Sequence, residues 1–111
     1  MDFKLALLAY GIPGFMAVIA LPMAFALVPP NRYYGFRTPK AMASKEAWYR
    51  ANRICGWCLV VAAAAAICHN AFFLSHHPDW SSNSQQFVLA ISNAVLLLAG
   101  AAVSVAYARK L

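Results

Sequence analysis

The sequence predicts an all-α membrane protein: a three-span helical bundle with a basic connector between its first two spans. Three stretches, Leu5 to Val28, Ile54 to His77 and Ser81 to Ala108, contain no Asp, Glu, Lys or Arg. Each reaches the roughly 20 residues that a membrane-crossing helix needs. Runs such as VVAAAAAI and AVLLLAGAAV do not alternate polar with apolar residues, as strands of a membrane barrel would. Only 11% of the 111 residues are charged against 63% apolar, which excludes an ordinary soluble domain. Lipid offers backbone groups no partners, so only helices or closed barrels cross it, and helices remain.

The first span, about residues 5–28, contains Gly11, Pro13, Gly14 and Pro22. Each interior proline removes a backbone bond, so a bent helix is expected, with neighbouring helices satisfying the freed carbonyls. Ala24-Phe25-Ala26 imitates a signal-peptidase site. However, the leading MDFK has no net positive side-chain charge and the apolar run exceeds a signal h-region, so the span is expected to stay uncleaved. Pro29-Pro30 ends the helix.

The connector follows. Gly35 offers a positive-φ position, and Pro39 forces Thr38 toward extended backbone. Its tyrosines and Phe36 suit the headgroup interface. Ser44 is a good N-cap and Glu46 favours the helix dipole in the first turn, so the second helix is expected to begin near Lys45. Its first turns are interfacial, and its membrane portion covers about residues 54–74. The third span becomes apolar from Phe87 and covers about 87–108. The five alanines Ala62 to Ala66, and the spaced pairs Ala90/Ala94 and Gly100/Ser104, suit close helix contact within the chain or in a homo-oligomer. No repeat and no soluble domain is visible, so residues 1–111 form one membrane domain.

Charge sets the orientation. Of nine basic residues, six fall in the first connector and adjoining helix start (Arg32, Arg37, Lys40, Lys45, Arg50, Arg53), none in the loop from Ser75 to Gln86, and two at Arg109 and Lys110. The positive-inside rule then places the N-terminus outside and the first connector and C-terminus in the cytoplasm. The formal charge of +6 reads as attraction to anionic membrane lipids. No nucleic-acid module is present, so nucleic acid is not an expected partner.

Two motifs invite chemistry and fall short of it. Cys55-Gly56-Trp57-Cys58 is a C-x-x-C inside a membrane helix, without the strand that precedes such a motif in redox proteins. These cysteines, with Cys68, are read as packing residues. Cys68, His69, His76 and His77 include metal-ligand types, but adjacent residues do not converge on one ion without further ligands. His69-Asn70 is read as hydrogen-bonding to a neighbouring helix or a lipid carbonyl. No metal, no cofactor and no catalytic residue is therefore assigned.

The basic connector is different, because charge, shape and a helix start coincide there. Arg37 can fork onto a phosphate or carboxylate as lysine cannot. The unpaired N–H groups at the start of the second helix add an anion-binding element. Glu46 and Arg50 suit an i, i+4 pair. A charged anchor needs only charge, whereas Asn31, Gly35, Thr38-Pro39 and Asn52 suggest a fixed loop folded against the helix.

In order, Asn31, Gly35, Arg37, Thr38, Pro39, Met42, Ser44, Trp48, Asn52, Arg53 and Gly56 resemble the signature of the SdpI family. These are small bacterial membrane proteins named for an immunity protein against a secreted peptide toxin. The signature covers about a quarter of the chain. The resemblance implies a bacterial inner-membrane location and immunity through binding of a peptide toxin or a membrane-protein partner. Position 52 is Asn where the family often has His, so no proton-transfer role is expected there. Asn31, Arg37, Thr38, Trp48, Asn52 and Arg53 are the candidate binding residues. The leading expectation is a non-enzymatic binding or resistance factor. The alternatives are an enzyme acting on lipid headgroups or prenyl phosphates, for which the connector offers only Glu46 as acid or base, and a structural subunit of a larger membrane complex.

Overall fold

Backbone geometry follows the apolar runs. The computed structural model describes residues 2–110. Within them stand three helices, each long and apolar enough to cross a membrane: Phe3–Ala24, Lys45–His76 and Ser82–Ala108. No strand occurs among the described residues. The bundle measures 53 × 22 × 18 Å, longer than the hydrocarbon core of about 30 Å. The second helix is central and packs along both of the others. It begins at Lys45, where the Ser44 hydroxyl accepts from the Ala47 N–H at 3.0 Å.

The first helix ends earlier than Pro29-Pro30 predicts. It stops at Ala24, because Ala26 takes the left-handed conformation (φ 57°). The Leu27 N–H then reaches Pro22 O at 2.8 Å and the Ala26 N–H reaches Met23 O at 3.1 Å. These two bonds are a Schellman termination, usually made with glycine. Alanine adopts it at a cost of about 1–2 kcal/mol, and no sequence signal marks the site. The early stop leaves Val28 to Pro30 outside any helix, leading into the connector.

A π-helical turn at Leu7–Gly11 interrupts the same helix, and no residue pattern in the sequence marks it. Ile12 donates its N–H to Leu7 O instead of Leu8 O, and Pro13 has no N–H for Ala9 O. Two successive carbonyls are thus released, and the other helices supply the donors. Asn70 Nδ2 binds Ala9 O at 2.9 Å, and Asn93 Nδ2 binds Leu8 O at 2.7 Å. Asn70 Nδ2 also meets Asn93 Oδ1 at 2.9 Å, and both carboxamides are buried. This node ties all three spans together, each interhelical bond in lipid contributing about 0.6–2 kcal/mol.

Small residues set the helix spacing. A Cβ on Gly56 would lie 2.3 Å from Ala24 N and 2.8 Å from Ala20 O, so the backbones of the first two helices nearly touch there. On the other side, Gly100 faces the Ala62 methyl. Ala62, Ala63, Ala66, Gly100 and Ser104 are buried, whereas Ala90 and Ala94 are exposed. Only the second of the two spaced pairs therefore joins the bundle.

The two ends are fastened separately. At one, Asp2 Oδ1 accepts from the Leu5 N–H at 2.8 Å and Asp2 Oδ2 from the Ser82 hydroxyl at 2.9 Å. These bonds hold the Asp2 carboxyl below its usual range. At the other, basic end, Lys40 Nζ donates to Arg109 O at 2.5 Å.

Candidate functional site

Each polar anchor of the connector has an identifiable task. Asn31 Oδ1 accepts from the N–H groups of Tyr33 (2.9 Å) and Tyr34 (2.7 Å), and its Nδ2 donates to Pro29 O at 2.7 Å. This Asx turn reverses the chain after the two prolines. Tyr34 then reaches back, its hydroxyl donating to Ile19 O of the first helix. Burial there pushes its phenol pKa above the ordinary 10.0.

Gly35 follows with φ 118°, a conformation that side chains disfavour. A Cβ at this position would lie 2.7 Å from Asn52 Oδ1 and 3.0 Å from the Trp48 ring. Glycine thus lets the loop descend onto the second helix. There Asn52 holds the Phe36 backbone from both directions: Phe36 N–H donates to Oδ1 at 2.6 Å and Nδ2 donates to Phe36 O at 3.2 Å. Nδ2 also meets Trp48 O at 2.9 Å. Trp48 is 1% exposed, and its Nε1 donates to Val28 O at 2.9 Å. The ring packs among Met23, Val28 and Cys55, with Tyr34 and Phe36 over them.

Thr38 closes the loop. Its Oγ1 accepts from the Ala41 N–H at 3.2 Å and its carbonyl from the Met42 N–H at 3.0 Å. These bonds start the 3-10 turn Ala41–Ala43 that delivers Ser44 to its capping position.

The six candidate residues therefore divide. Asn31, Trp48, Asn52 and Thr38 direct their polar atoms to the chain itself and fix the loop. Arg37 and Arg53 are exposed, and neither guanidinium has a hydrogen-bond or ion-pair partner among the described residues. Arg37 sits between Phe36 and Thr38, both pinned as just described. Arg53 lies on the second helix beside Tyr49, Arg50 and Glu46, lining a cleft of about 460 Å³ that reaches Ala26. Arg37 does not line that cleft. Glu46 and Arg50 form the expected pair at 3.1 Å, fully in reach of water and worth little as stability.

Tyr49 at this cleft and Asn93 at the buried node were not legible as site residues. Tyr49 becomes visible only through its helical spacing with Glu46 and Arg53. Asn93 signals itself by being a carboxamide within an apolar span. Asn70 does bond to neighbouring helices, and His69 Nδ1 lies 3.1 Å from its Oδ1. The three cysteines are unpaired thiols, Cys55 buried. His76 stacks on Phe72 with ring centroids 4.0 Å apart, and His77 lies tilted against Phe73 at 5.0 Å. Among the described residues no three His, Cys, Asp or Glu side chains are grouped to hold a metal ion.

Neither the curated proteins nor the solved structures contain a significant match to the chain. The model of one protein family does match, over residues 27–108, which takes in the whole connector and the second and third helices. With most of its length covered, from the Asn31 turn to the last span, the chain belongs to the SdpI/YfhL protein family.

Proposed function

We propose that this protein is a non-enzymatic binding factor of the bacterial cytoplasmic membrane, conferring resistance to a membrane-active peptide by engaging an anionic or peptidic partner at the connector. The observation that carries this reading is the contrast between an anchored loop and the Arg37 guanidinium it presents, which has no partner among the described residues. Asn31, Gly35, Thr38, Trp48 and Asn52 fix the backbone on both sides of Arg37, which itself is left exposed. Side-chain ordering is a main cost of binding, and a pinned loop reduces it in advance. A guanidinium so placed suits bidentate contact with a carboxylate or phosphate. The connector faces the cytoplasm in this reading, following the distribution of basic residues.

The test is survival. Cells expressing the protein, and matched cells lacking it, are challenged with a panel of membrane-active peptides. Protection against at least one peptide is expected, and equal survival across the panel would contradict the reading.

A further inference from the structure

A second feature of the basic end lies outside the pinned loop. Glu46, Tyr49, Arg50 and Arg53 occupy one stripe of the second helix, at spacings of three and four residues, and line the cleft of about 460 Å³ beside Ala26. Two guanidiniums and one carboxylate give this cleft a net charge of +1. Tyr49 adds a phenol whose hydroxyl has no partner among the described residues.

The same stripe continues into the apolar zone. One turn beyond Arg53 stands Trp57, 42% exposed, in edge-to-face contact with Phe25 at 5.3 Å. Tryptophan at this level marks the boundary between headgroups and hydrocarbon. Trp57 is also the mouth of an apolar groove of about 420 Å³ between the second and third helices. Its floor is lowered by Ala62, Ala65, Ala99 and Gly100. From Trp57 to Ala65 the second helix rises about 12 Å, most of the roughly 15 Å depth of one hydrocarbon leaflet.

We infer that one bilayer phospholipid of the phosphatidylglycerol type occupies this face, with its phosphodiester at Tyr49, Arg50 and Arg53 and one acyl chain along Trp57 in the groove beside Gly100. A monoanionic phosphodiester matches the cleft's net charge, and a planar guanidinium can donate to two of its oxygens. The added choline or ethanolamine cation of a zwitterionic lipid would instead enter a cleft that is already positive. The cleft, Trp57 one turn beyond Arg53, and the groove that Trp57 lines follow one another along the second helix, and that alignment separates this site from diffuse attraction of a basic surface to anionic lipid, which has no shape requirement. The inference rests on the partner reading only in giving Arg53 an anionic ligand, since Arg37 takes no part in it.

The experiment is a lipid titration of the full-length protein, purified in neutral detergent, read by native mass spectrometry. Phosphatidylglycerol should add as a single saturable adduct, and phosphatidylcholine more weakly. Arg53→Gln should weaken phosphatidylglycerol binding about tenfold, through loss of a charge-assisted contact. Ala65→Phe, which fills the groove and leaves every charge in place, should weaken it to a similar degree. Arg32→Gln should leave it within about twofold of wild type, because an exposed charge elsewhere contributes little. Equal binding of phosphatidylcholine, an Arg32→Gln loss as large as that of Arg53→Gln, or an unchanged Ala65→Phe variant would each overturn the assignment. The readout involves no peptide, so its failure leaves the survival test standing, and the reverse also holds.

Discussion

Replacing Gly35 with alanine should detach the connector from the second helix while leaving the spans folded. The backbone there has φ 118°, a region that costs a non-glycine residue about 1–3 kcal/mol. The added Cβ would also lie 2.7 Å from Asn52 Oδ1 and 3.0 Å from the Trp48 ring. Trp48 is enclosed and cannot retreat, so the Asn52 carboxamide must shift and release the Phe36 N–H and C=O. Each lost bond contributes about 1 kcal/mol. Together with part of the strain, the loop is destabilised by about 3 kcal/mol, or roughly a hundredfold in its opening equilibrium. The assay is amide hydrogen exchange of the purified protein, read on peptides covering residues 31–43 and, separately, the second helix. Exchange in the connector should accelerate by about that factor, with the helix peptides beyond Leu59 unchanged. Gly14→Ala is the control, since nothing lies within 4 Å of a Cβ there. Wild-type exchange in a Gly35→Ala connector would refute the claim that the loop is a folded, anchored element.

Three further outcomes follow from the packing and the charge pattern. Gly56→Leu should force the first two helices apart, because even its Cβ would stand 2.3 Å from Ala24 N; an unfolding temperature in detergent equal to wild type would contradict that crossing. Asn70→Leu removes the donor to Ala9 O and to Asn93, and should lower stability by about 1–3 kcal/mol, whereas an unchanged unfolding transition would mean that the released carbonyls find other donors. For orientation, a membrane-impermeant thiol probe on intact cells, in a cysteine-free background, should label a cysteine at Asn83 and not one at Ala43; the reverse pattern would place the connector outside.

Architecture was legible because span length and charge exclusion are long-range, redundant signals: no single residue decides them. The start of the second helix was legible for a local reason, the capping chemistry of Ser44 with Glu46 behind it. Two backbone features were not. The first helix terminates at Ala26 in a conformation alanine normally avoids, and the π turn at Leu7–Gly11 depends on donors supplied by Asn70 and Asn93 from the other helices. The π turn is a tertiary effect that overrides local propensity, and the stop at Ala26 is a local termination at a residue type that seldom makes one. The connector signature was visible as a set of residues, yet their division of labour was not. Only the structure separates Asn31, Trp48 and Asn52, whose polar groups meet the chain's own backbone, from Arg37 and Arg53, whose guanidiniums meet none.

Shape against charge at position 37 is the most direct test of the functional account. Survival under peptide challenge is measured for Arg37→Lys, Arg32→Lys and Lys40→Arg at equal membrane abundance. All three keep the charge, and only the first removes the forked donor held between the bonded backbones of Phe36 and Thr38. The account predicts that Arg37→Lys loses most of its protection while the other two match wild type. A basic anchor predicts that all three protect equally, and wild-type survival of Arg37→Lys would contradict a recognition site at the connector.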